Sequence, residues 1–274
     1  MSIIADHRTA SLPARLLARP KNIAILCLAV LASTGWAALG LMLADISLLA
    51  ALCRPSFGAN ATGIAYATVV FGMWCAMALA MMLPTAAPMV LTYAELAETA
   101  ARKGEPATSP LVLIAGYLAV WLGTAALLAT LQLILARLSL LDPRTDSAGP
   151  LFSGAVFLLA GLYQFSALKL ACVTQCQHPF RFFFANWTAE PGGVFRLGLR
   201  QGLYCLGCCW AMMLLMFAVG VMNVIWMAAL GAVMTIEKLN STTRFSRALG
   251  IVFISAGAAL ILTSVAAHWP ARAG

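Results

Sequence analysis

Charge is what this sequence most lacks. Only 9% of its 274 residues are Asp, Glu, Lys or Arg, where a soluble domain carries about 25%. A chain so poor in charge cannot cover a water-facing surface, which excludes an ordinary soluble globular domain. Histidine is scarce too. His7, His178 and His268 are the only three, and none lies inside an apolar run. A haem held by paired histidines within the spans is therefore excluded, because its ligands would have to project from those runs. No serine, histidine and acid set shares a level along the chain, so the reading is not a classical hydrolase and no catalytic residue is assigned.

What fills the chain is apolar. Hydrophobic residues make up 62% and the mean hydropathy is +0.93. Seven apolar runs can be read, roughly at 22–44, 63–93, 110–136, 150–170, 201–220, 223–239 and 248–267. A helix needs roughly 20 apolar residues to cross a bilayer. The expected fold is all-α: a polytopic transmembrane helix bundle of about seven spans, one domain over 22–267, after a basic N-terminal segment at 1–21. That segment, followed by a run long enough to span, does not have the form of a cleaved signal peptide. Residues 201–239 as one straight helix would be about 58 Å long, so the chain must turn back. Gly220-Val221-Met222-Asn223 is the expected turn; a re-entrant segment, giving six spans, is the alternative.

The net charge of +8 resides in short segments between runs, which points to membrane orientation and not to nucleic acid. With the N-terminus in the cytoplasm, thirteen Lys and Arg fall inside and four outside (Arg54, Arg137, Arg144 and Arg272). The expectation is a multi-pass bacterial inner-membrane protein. Its longest inside segment, 171–200, mixes Arg181, Phe182, Phe183, Phe184 and Trp187, as a loop at the headgroup level would.

Five of the eight cysteines form two groups. Cys172 and Cys176 are four apart; Cys205, Cys208 and Cys209 are spaced by three and four. In helices each group shares a face, and both lie at the inner ends of neighbouring spans, with His178 close by. Cytoplasmic thiols stay reduced. Clustered thiols are soft ligands suited to copper(I) or zinc, and neighbouring methionines favour copper(I). Met212, Met213 and Met216 continue the face of the cysteines; Met73, Met77 and Met81 recur at spacings of four, with Met82 beside them. A methionine stripe is also what core packing produces. Cys27, Cys53 and Cys75 are isolated and read as packing. Glu237-Lys238 ends the sixth run at the level of the cysteines. Glu237 is either a partner to thiol or metal, or one half of an ordinary ion pair with Lys238 or Arg200. The candidate metal set is Cys172, Cys176, Cys205, Cys208, Cys209, His178, Met212, Met77, Met81 and Glu237. Pro84 and Pro88 kink the second run.

Met73-Trp74-Cys-Ala-Met77-Ala-Leu-Ala-Met81-Met82-Leu-Pro84, Cys172-x3-Cys176-x2-Pro179, Cys205-Leu-Gly-Cys208-Cys209-Trp210 and Glu237-Lys238 together resemble a bacterial family. It is known as predicted metal-binding integral membrane proteins, a domain of unknown function. The resemblance spans roughly 63–245 and implies metal binding by the cysteines. Copper(I) handling, delivery or membrane passage is the leading expectation, with the lipid bilayer, the ion and a metallochaperone or membrane metalloenzyme as partners. The alternatives are a membrane thiol-disulfide oxidoreductase using Cys205 and Cys208, and an assembly subunit for a membrane metalloenzyme.

Overall fold

The structure, a computed structural model, describes residues 20–44, 63–141, 149–221, 223–240 and 243–268. Most of the basic segment 1–21, Cys53, Arg54 and Arg144 lie outside them. Nine helices make up the described residues: α1 (Pro20–Ala44), α2 (Gly63–Arg102), α3 (Pro110–Arg137), α4 (Pro150–Tyr163), α5 (Ala167–Gln177), α6 (Pro179–Ala185), α7 (Pro191–Val219), α8 (Val224–Leu239) and α9 (Thr243–His268). The all-α class is observed.

Proline and short polar side chains set the boundaries. Five of these helices, α1, α3, α4, α6 and α7, open on a proline, Pro20, Pro110, Pro150, Pro179 and Pro191, at the position where the missing donor costs nothing. Ser109 caps α3, Ser166 caps α5 by accepting from the Lys169 amide, and Asn223 caps α8 by accepting from the Trp226 amide. Each satisfies a donor that the first helical turn leaves over. The expected reversal after the fifth run is present. α7 stops at Val219, Gly220 takes φ +97°, where a side chain would be strained, and Asn223 starts α8.

Among the described residues, five helices are long and apolar enough to cross a membrane: α1, α2, α3, α7 and α9. The broken pair α4 and α5, bent by 65° at Gln164–Ser166, makes a sixth if counted as one span. The expected count of seven differs for two physical reasons. The fourth run breaks at Tyr163, and α8, with 16 residues, is about 24 Å long, short of a hydrocarbon core of roughly 30 Å. The segment 171–200 is largely helical, holding the end of α5, all of α6 and the first turns of α7.

Small residues bring the helices together. α1 packs on α2, α3 on both α2 and α7, α4 on α7 and α9, and α5 on α7. At the α3–α7 crossing Gly116 faces Gly198, and a methyl group on either would strike the other helix's backbone at 2.2 Å. On α4 and α9, Gly154 meets Gly257 and Gly161 meets Gly250. Such close approach is how apolar helices associate where water supplies no driving force.

Candidate metal centre

The cysteines of α7 sit in its interior. Cys205 lies fourteen residues after Pro191, about 21 Å along the helix. The sequence, reading the span from residue 201, puts it at the helix end; Pro191 extends the helix a further ten residues. Cys205, Cys208 and Cys209 are all buried; Cys205 faces α3 and α8, Cys209 faces α2, and Cys208 faces α5.

Around Cys205 a polar layer crosses the bundle. Lys238, at the end of α8, donates from Nζ to Cys205 Sγ at 2.9 Å and to Thr85 Oγ1 at 2.7 Å. Thr85 passes its own proton to the Met82 carbonyl at 2.8 Å. The Tyr117 hydroxyl stands 3.1 Å from that carbonyl and 3.1 Å from Cys205 Sγ. α8 can deliver Lys238 here because the Gly220–Asn223 turn folds it back along α7. Lys238 is only 8% exposed. A buried ammonium costs several kcal/mol unless its charge is met; here a sulfur and a hydroxyl meet it.

The other thiols gather beside this layer. Cys208 and Cys209 donate to the Cys205 carbonyl at 3.0 and 2.8 Å, and Cys209 Sγ lies 4.0 Å from Met82 Sδ. Cys176 and Cys172 of α5 lie beside the Cys208 thiol. Gly207 makes room for this, since a methyl group there would meet Cys172 Sγ at 2.6 Å. Cys176 is the partly exposed member, while the other four are buried. All seven described cysteines are free thiols. Among the described residues, no three His, Cys, Asp or Glu side chains already converge on one point where an ion would sit. The sulfur pair Cys209–Met82 has the separation of two donors sharing one ion, given metal–sulfur bonds of about 2.3 Å.

The other candidates fall elsewhere. Glu237 turns away from the thiols. It pairs with Lys169 at 2.8 Å and accepts from Ser246 at 2.5 Å; both members of the pair are buried. Neither Lys238 nor Arg200 is its ionic partner, since Arg200 bonds Asn186 and stacks over Phe182. His178 joins α5 to α6 and lines a cavity between the α4–α5 turn, α5 and the start of α9. Met81 lies against Gly231 of α8. Met77 is fully buried in the core, and Met212 is buried one turn beyond Cys208 and Cys209. Sequence reasoning missed Tyr117 and Thr85 and gave Met82 and Lys238 minor parts. The available signal was a lysine inside an apolar stretch, which is costly and therefore functional by default.

A family model described as "PpoB2: Copper chaperone" matches residues 71–260. No curated protein and no solved structure matches the chain. The matched stretch holds every member of the layer, from Met82 and Thr85 through Tyr117 and the five cysteines to Lys238. The match covers more than half of the chain, which therefore belongs to the PpoB2 family of copper chaperones.

Proposed function

We propose that this chain is a membrane copper chaperone that holds copper(I) on sulfur and passes it to a protein partner. Cys205, Cys208 and Cys209 of α7 together with Met82 of α2 form the holding site, and Cys176 with Cys172 of α5 form the way in. The observation that carries the reading is the gathering of three thiols within about one turn of α7, one of which, Cys209, lies 4.0 Å from the Met82 thioether. Thiolate and thioether sulfurs are soft and select copper(I) over harder ions, and a thioether disfavours zinc. Binding requires the Cys208 and Cys209 thiols to lose their protons and turn from the Cys205 carbonyl. Lys238 supplies the positive charge that a Cys205 thiolate needs before the ion arrives. Met212, one turn beyond Cys208 and Cys209, offers a further thioether, while Met77 and Met81 belong to the packed core.

Lys169 and Lys238 are bundle charges and not loop charges. Removing them from the thirteen inside residues leaves eleven against four outside, still a positive-inside bias. This supports an inner-membrane protein whose N-terminus and thiol entrance face the cytoplasm. A chaperone so arranged serves a membrane metalloenzyme or a metallochaperone.

The test is copper(I) stoichiometry of the purified protein under anaerobic, reducing conditions. Wild type and Cys27→Ser, which alters an isolated thiol, are expected to hold copper. Cys208→Ser is expected to lose it or to weaken by roughly 10–100-fold. Equal copper in Cys208→Ser and Cys27→Ser would remove the α7 thiols from the site.

A further inference from the structure

The cavity beside α5 is separate from the thiols. It measures about 700 Å³ and is lined by Gln164, Phe165, Ser166, Lys169, Arg247 and their neighbours, with no carboxylate among the described residues of its wall. Its size falls among small-molecule sites, roughly 300–1,000 Å³, and far exceeds the ~30 Å³ of one water.

Two helix N-termini meet at this cavity. Ser166 caps α5, with Ala167 and Lys169 in its first turn, and Thr243, Ser246 and Arg247 belong to the opening of α9. Helix N-termini carry partial positive charge and favour anions. Lys169 is already neutralised by Glu237, and Arg247 brings a second cation to the wall. Gln164 adds an independent demand. It is only 6% exposed, and its Oε1 is buried without a hydrogen-bond partner. A buried acceptor left unpaired is costly, and this one asks for a donor. The occupant should therefore join an anionic group to a hydroxyl or ammonium. Phe165 and Leu170, each 50% exposed, give the cavity an apolar rim on which a hydrocarbon chain can lie.

We infer that this cavity binds a hydroxyl-bearing phosphate diester, the headgroup of an anionic glycerophospholipid. The phosphate faces Arg247 and the two helix N-termini, a headgroup hydroxyl donates to Gln164 Oε1, and the acyl chains leave over Phe165 and Leu170. The inference does not depend on copper, and its test uses metal-free protein.

Full-length protein in neutral detergent is titrated with phosphatidylglycerol, phosphatidylcholine or sn-glycerol 3-phosphate, and retention is read by native mass spectrometry. Phosphatidylcholine keeps the phosphate diester but lacks the headgroup donor. Phosphatidylglycerol is expected to be retained about tenfold better than phosphatidylcholine. Arg247→Gln, at an exposed position, is expected to reduce that retention about tenfold. Arg244→Gln, on the same helix but outside the cavity wall, should leave it unchanged. Gln164→Met, close in volume, should bring phosphatidylglycerol down toward phosphatidylcholine. Equal retention of the two lipids, or equal loss at both arginines, would overturn the site. Displacement of phosphatidylglycerol by an equal concentration of sn-glycerol 3-phosphate would overturn the lipid as its source.

Discussion

Glu237 and Lys238 are neighbours in sequence and face opposite surroundings. Glu237 meets the ammonium of Lys169 across a buried ion pair between α8 and α5. Lys238 meets a thiol, Cys205, and a hydroxyl, Thr85, between α8, α7 and α2. Each of the two buried ammonium groups must have its charge met, and α8 serves one from either side. The Lys169 side is complete: carboxylate, ammonium and the Ser246 hydroxyl account for one another. The Lys238 side lacks a carboxylate, and its sulfur can take a different cation. The first arrangement fixes α5 and α9 against α8; the second leaves room for chemistry.

The largest effect should come from breaking the complete side. Glu237→Ala leaves the Lys169 charge buried and uncompensated, which should cost about 3–5 kcal/mol. Chemical unfolding in detergent measures this. The double variant Lys169→Met/Glu237→Leu removes both charges and should recover most of the loss, because an apolar pair of similar volume often replaces a buried ion pair without cost. Lost copper binding in that double variant, with stability restored, would bring Glu237 back as a member of the metal site.

Lys238→Met tests the other side. No carboxylate is orphaned, Tyr117 still reaches Cys205, and Thr85 keeps its bond to the Met82 carbonyl. The expected destabilisation is about 1–3 kcal/mol, less than for Glu237→Ala. Copper(I) affinity, followed by competition with a chromophoric chelator, should fall roughly 10–100-fold, as when a partner of a ligand is removed. A variant as unstable as Glu237→Ala yet normal in copper binding would make the two lysines equivalent, both structural.

Local features of this division were legible in sequence, and cross-helix ones were not. The Gly220–Asn223 turn could be read because a glycine and a capping asparagine act within a few residues. The shared faces of Cys172 with Cys176, and of Cys205 with Cys208 and Cys209, follow from helical spacing alone. The start of α7 was obscured because the apolar run begins only at residue 201, although Pro191 is suited to the first position of a helix. The partners of Glu237 could not be read. Lys169 is 68 residues away and reaches it only because the α4–α5 span bends by 65° at Gln164–Ser166. Lys238 meets Thr85 over a separation of 153 residues, which no helical period encodes.

Met82 shows the same limit on a finer scale and gives the smallest test. A period of four along α2 selects Met73, Met77 and Met81. Met82 instead lies one turn before Thr85, on the face that the polar layer uses. Met81 packs against Gly231 of α8, while Met82 Sδ stands 4.0 Å from Cys209 Sγ. Met81→Leu and Met82→Leu both conserve volume in the core, so each should cost less than about 1.5 kcal/mol, and the two should unfold alike. They should differ in copper. Only Met82→Leu removes a thioether from the sulfur cluster, and a several-fold loss of copper(I) affinity is expected there alone. An equal loss in both would mean that the ion follows the methionine stripe of α2, and that the layer around Lys238 is a neighbour of the copper site and not its wall.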